Sequence, residues 1–100
     1  MSSSRALKKC KYVLYIINAP PVLREEILSA ASQTIITLIC EIVLNIVEGN
    51  LEGGDFADKY RAECKYLLRK TQSVKKKRAA IVDCGNQFYL DLASVLVKYA

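Results

Sequence analysis

One hundred residues, 52% of them hydrophobic, can bury one modest core and are too apolar for a disordered tail. Four glycines and two prolines argue against an all-β or loop-rich design, and the lack of histidine removes the usual general base near neutral pH. The net charge of +5 is uneven: residues 1–20 hold four cations and no acid, 21–58 one cation against seven acids, 59–78 nine cations against Glu63, and 79–100 one cation against two acids.

Every segment has helical periodicity, and none alternates like a strand. The first helix is predicted over about 4–18, with Leu7, Cys10, Leu14 and Ile17 on one stripe widened by Val13 and Ile16. Pro20-Pro21 stops it, and Pro21 suits the first turn of a second helix over about 21–31. That helix is expected to turn Val22, Leu23, Ile27 and Leu28 inward. Ser32 is a candidate N-cap for a third helix over 33–48, although no glycine prevents 21–48 from forming one long kinked helix.

In the third helix the polar residues Thr34, Thr37, Glu41, Asn45 and Glu48 form one narrow stripe on an otherwise aliphatic surface. Such a helix belongs at the centre of a bundle. Gly49-Asn50 supplies a left-handed stop. Asp55 can cap a fourth helix to about Lys70, with Phe56, Tyr60, Cys64 and Leu67 inward and Leu68 beside them. Ser73 caps a fifth over about 74–83, ended by Gly85. The sixth, about 87–99, buries Phe88, Leu92, Val95, Leu96 and Tyr99, either as a closing helix or against another chain. The expected fold is therefore all-α: one domain over 1–100, a single compact bundle of five or six short helices with a central apolar helix.

The four cysteines, Cys10, Cys40, Cys64 and Cys84, form no CxxC pair, which excludes the common zinc modules. They read as small core residues in a reducing compartment, although an even count also permits two disulfides. No secretory signal is recognisable, and the most apolar run, residues 35–47, is too short to span a membrane and contains Glu41 and Asn45. Without histidine no Ser/His/Asp or Cys/His pairing is possible, and the glycines match no phosphate loop. The expectation is a non-enzymatic protein with no catalytic residue, cofactor, metal or small-molecule substrate.

The basic third quarter holds the candidate site. Arg61, Lys65 and Arg69 recur every fourth residue and form a ridge, extended by Lys70. Lys75, Lys76, Lys77 and Arg78 then fill the first turn of the fifth helix, where cations oppose the helix dipole while unpaired amides point the same way. Four positive side chains beside free amides suit a phosphate. The same run also reads as a nuclear-import address or as a solvated face. Lys8, Lys9 and Lys11, with Arg5, are secondary candidates. Tyr12 and Tyr15 among them could stack on bases, although aromatics at helical spacing are more often buried in part. Nothing resembles base-edge readout, so contact would be backbone-directed and salt-sensitive.

A set of short strings suggests a relationship. They are Val22-Leu23-Arg24 with Ile27-Leu28, Ile39-Cys40-Glu41 with Leu44-Asn45 and Gly49-Asn50, and Leu67-Leu68-Arg69-Lys70 with Ser73-Val74, the Lys75–Arg78 run and Ile81-Val82. Over roughly residues 22–96 the chain resembles the small basic proteins encoded by Polinton/Maverick-type elements and their adintovirus relatives in animal genomes. It departs from them in the loop Leu51-Glu52-Gly53-Gly54-Asp55, and in having Cys84-Gly85-Asn86 in place of a Gly-Gly tail. The resemblance implies a virion or DNA-handling role.

The expected function is nonspecific nucleic-acid binding or packaging, DNA before RNA, by an intracellular protein that is nuclear or virion-associated. The rival is a protein-interaction or self-assembly module, either a homo-oligomeric virion component or a host-directed adaptor with a death-fold-like bundle. A weaker rival is a peripheral membrane role for the sixth helix, against which Asp91 counts.

Overall fold

The computed structural model describes the backbone of residues 2–99 and the side chains of residues 10–99. Among the described residues all regular structure is helical: α1 (Ser2–Ile17), α2 (Pro21–Ser29), α3 (Gln33–Val47), α4 (Phe56–Lys59), α5 (Arg61–Leu68), α6 (Val74–Asp83), α7 (Asn86–Leu96) and a closing 3₁₀ turn, Val97–Tyr99. The all-α bundle is as expected, with one more helix than the periodicity suggested.

Local chemistry sets most of the boundaries. Pro21 opens α2 in the first-turn position, where its missing N–H costs nothing. Ser32 Oγ accepts from Ile35 N–H at 3.4 Å and starts α3 afresh, so α2 and α3 meet at 114° and the single long helix does not form. Gly49, at φ +82°, takes the left-handed stop after α3. Ser73 Oγ accepts from Lys76 N–H at 3.2 Å and begins α6 where the sequence placed it. Among the described residues no single helix is long and apolar enough to cross a membrane.

The expected fourth helix is bent. Asp55 makes no side-chain cap, and Tyr60, at φ −113° and ψ 37°, separates α4 from α5. The ladder bonds Tyr60 N to Phe56 O and Cys64 N to Tyr60 O persist at 3.0 and 2.9 Å, so the break is a kink. Tertiary contacts explain it. Phe56, Tyr60 and Phe88 form an aromatic cluster with ring centroids 5.0–5.4 Å apart, while Tyr60 Oη donates to Asp91 on α7. Packing worth about 0.5–1.5 kcal/mol per ring pair offsets one irregular residue.

At the centre lies α3, packed against α1, α5 and α6, with Ile36, Leu38, Ile39, Cys40, Ile42, Val43 and Ile46 buried. The expected polar stripe on α3 is corrected at Asn45, which is buried. Its amide donates to Glu41 O at 2.8 Å, its side-chain oxygen accepts from Asn50 Nδ2 at 3.1 Å, and its carbonyl accepts from Asn50 and Leu51 N–H. Asn45 thus anchors the loop after α3, and Leu44 and Val47 take the exposed places.

The second helix is also corrected. Val22 is 75% and Leu23 48% exposed, while Arg24 is buried beside Leu28. Arg24 donates through Nη1 to Ile17 O at 3.4 Å and through Nη2 to Asn86 Oδ1 at 3.3 Å, and its Cζ lies 3.9 Å above the Tyr89 ring. An orphan carbonyl at the end of α1 and an aromatic face on α7 thereby decide which arc of α2 turns inward. The inner faces expected for the fourth helix (Phe56, Tyr60, Cys64, Leu67) and the sixth (Phe88, Leu92, Val95, Leu96) are buried, so α7 closes the bundle. Tyr99, half-buried, accepts from Glu52 N–H.

Candidate nucleic-acid interface

The ridge on α5 exists because Cys64 and Leu67 face the core, leaving Arg61, Lys65 and Arg69 on the opposite, exposed side. A four-residue repeat spaces them by about 6 Å along the axis. Arg61 pairs with Asp58 at 3.3 Å, an exposed contact that contributes little. After Leu68 the chain turns through residues 69–73, and that turn carries Arg69 and Lys70 directly to the start of α6, where Lys75 and Lys76 are exposed. Lys65, Arg69, Lys70, Lys75 and Lys76 are thus exposed cations carried by α5, the turn and the start of α6, a stretch that makes up the α5–α6 corner; Lys65 and Arg69 line one groove and Lys76 another. The ion pairs among the described residues are Lys59–Asp91 and Arg61–Asp58, so none of these five has an acid partner there.

The remaining candidates separate from this corner. Arg78 is half-buried and donates through Nε and Nη2 to Ala31 O at 3.1 and 2.8 Å, which ties α6 to the α2–α3 junction. Nε and Nη2 are thereby engaged inside the fold, which distinguishes Arg78 from its exposed neighbours Lys75 and Lys76. Lys77 is half-buried against α3, where its charge partly opposes the upward shift that burial imposes on the Cys40 thiol. Lys11 is exposed at a groove between α1 and α2, bordered by Leu14, Tyr15, Pro20, Leu23 and Ile27, and that groove is separate from the α5–α6 corner. The side chains of Lys8 and Lys9, and of Arg5, lie outside the described residues. Tyr12 is 54% exposed, near the partial burial expected, whereas Tyr15, at 83%, stands clear of the fold.

Two concave surfaces flank the corner. One, of about 580 Å³, has Arg61, Lys65 and Arg69 on its rim with Asp58, the partner of Arg61, and Val47, Ala57, Cys64 and Leu68 as apolar lining. Periodicity missed it, because it depends on Val47 of α3 emerging beside α5. The other, of about 660 Å³ between α5 and α6, brings Glu63 and Asp83 round to Lys76 and limits the positive surface on that side. Cys84 lines it, with its thiol pushed up to about 12 by burial and then by those acids. A thiol held that high stays protonated at neutral pH and is a poor nucleophile. Burial also raises the Cys10 and Cys64 thiols; all four cysteines are free.

Comparison with known proteins returned no matching family model, no matching curated protein and no matching solved structure.

Proposed function

We propose that the protein binds nucleic acid nonspecifically, with DNA as the first candidate, through the phosphate backbone at the α5–α6 corner. The observation that carries this reading is the set of five exposed cations, Lys65, Arg69, Lys70, Lys75 and Lys76, which lie within twelve residues along α5, the turn and the start of α6, and none of which forms an ion pair among the described residues. Such a cluster is costly to bring together and becomes favourable when phosphates displace counterions. Arg61 extends the surface along the ridge. The activity is one of binding, and coating or packaging DNA is the role that suits the small proteins of Polinton/Maverick-type elements that the sequence resembles.

Fluorescence anisotropy of labelled duplex DNA at about 50 and 200 mM salt tests this. Five phosphate contacts give a slope near −4.5 in log K against log salt, so affinity should fall roughly 500-fold over that interval. The Lys65/Arg69/Lys70/Lys75/Lys76→Ala variant should lose the binding and the slope, while Arg78 is left intact so that the fold is not disturbed. Flat anisotropy at low salt sinks the reading.

A further inference from the structure

The outer face of α2 has no partner in the bundle. Arg24 and Leu28 point inward, and on a helix of 100° per residue this leaves Val22 and Glu26 at the centre of the exposed arc, with Leu23 and Glu25 beside them. A valine 75% exposed next to two exposed glutamates makes an acidic strip with an apolar knob.

The α3–α5 groove has the opposite character. Val47, 44% exposed, and Leu68 line it, and Arg61, Lys65 and Arg69 stand along its rim. Asp58, an exposed partner of Arg61, is the single acid there among the described residues, so the groove keeps a balance of three cations to one acid. A bare phosphate backbone has no use for an apolar lining of that kind. The division runs through the whole chain: the segment containing α2 holds seven acids against one cation, and the segment containing α5 nine cations against one acid.

We propose that the α2 face of one copy docks in the α3–α5 groove of another, with Val22 against Val47 and Leu68 and with Glu25 and Glu26 facing Arg61, Lys65 and Arg69. The apolar contact supplies the attraction, and the charges set orientation and exclude like-with-like pairings. The two patches are different surfaces of one molecule, so the contact is head-to-tail and propagates into a ring or an open chain. A strip formed by one nine-residue helix places the contact at the small, weak end of protein interfaces, so assembly follows concentration. The inference stands apart from the nucleic-acid reading, although DNA on the same ridge competes with it, and the test is therefore run without nucleic acid.

Sedimentation velocity of the full chain across a concentration series should show the mean mass rising above the 11.2 kDa monomer, more at low salt than at high salt. Glu25→Lys/Glu26→Lys breaks the strip and Arg61→Glu/Lys65→Glu breaks the groove; each variant alone should remain monomeric. Mixed in equal amounts they should associate with each other, because the intact strip of one meets the intact groove of the other and the reversed strip and reversed groove are again opposite in charge. Val22→Ser, which changes no charge, should weaken assembly of the parent at least tenfold. Circular dichroism of each variant confirms that its helix content equals the parent's. A monomeric parent at every concentration, variants that associate like the parent, or a folded pair that fails to rescue on mixing each overturns the proposal.

Discussion

Replacing Arg24 tests whether a buried cation without an acid partner can be a net gain. In Arg24→Ala the Ile17 carbonyl and Asn86 lose a donor, the Tyr89 face loses its cation and the aliphatic stem leaves a cavity. Both hydrogen bonds are long, at 3.4 and 3.3 Å, so they contribute toward the low end of charged bonds. Together with a desolvated cation–π contact of ~2 kcal/mol and the cavity these exceed about 5 kcal/mol, and removing the charge also removes its desolvation cost, so the expected net loss is about 3 kcal/mol, or roughly 12 °C in melting temperature for a domain of this size. Arg24→Met keeps most of the volume and also removes the desolvation cost of the charge, so it should lose only about 1 kcal/mol. The assay is urea unfolding followed by far-UV dichroism, with a cycle of Arg24→Met and Tyr89→Leu to isolate the ring contact. Coupling of about 1–2 kcal/mol is expected. Coupling near zero, or a methionine variant as damaged as the alanine one, refutes the reasoning.

Arg78→Ala should cost about 2 kcal/mol through its two bonds to Ala31 O, whereas Lys75→Ala/Lys76→Ala should stay within about 0.5 kcal/mol in the same unfolding assay. Asp91 is held at about 2, below its usual 3.8, first by the Lys59 hydrogen bond and then by Tyr60 and Gln87. Its folded value is the lower one, so its stabilisation is complete above about pH 4 and is lost as pH falls towards 2; thermal melts through that window should show the loss, and Asp91→Asn should abolish that part of the acid dependence. Gly53→Ala should destabilise by about 1–3 kcal/mol, since a Cβ there would lie 2.6 Å from the buried Ile46 Cγ2, and thermal denaturation measures it. Gly49→Ala should cost about 1 kcal/mol by the same measurement, for its φ of +82° alone.

The sequence by itself determined what depends on neighbours in the chain. The helical repeat, the proline start of α2, the serine caps of α3 and α6 and the glycine stop after α3 are short-range chemistry, and each stands where the residues put it. The α5 ridge was legible for the same reason, because a four-residue spacing fixes a common face. What faces that ridge was not legible. The arc of α2 was misread because a nine-residue helix offers few apolar positions to vote on a direction, and the deciding partners of Arg24 lie on α1 and α7. Arg78 looked like its lysine neighbours until the fold brought Ala31, 47 residues away, within reach of its guanidinium. The kink at Tyr60 and the burial of Asn45 follow from an aromatic cluster and a loop that exist only once distant segments meet. Periodicity tells a side chain which face of its helix it shares; only packing decides whether that face meets core, solvent or an orphan carbonyl.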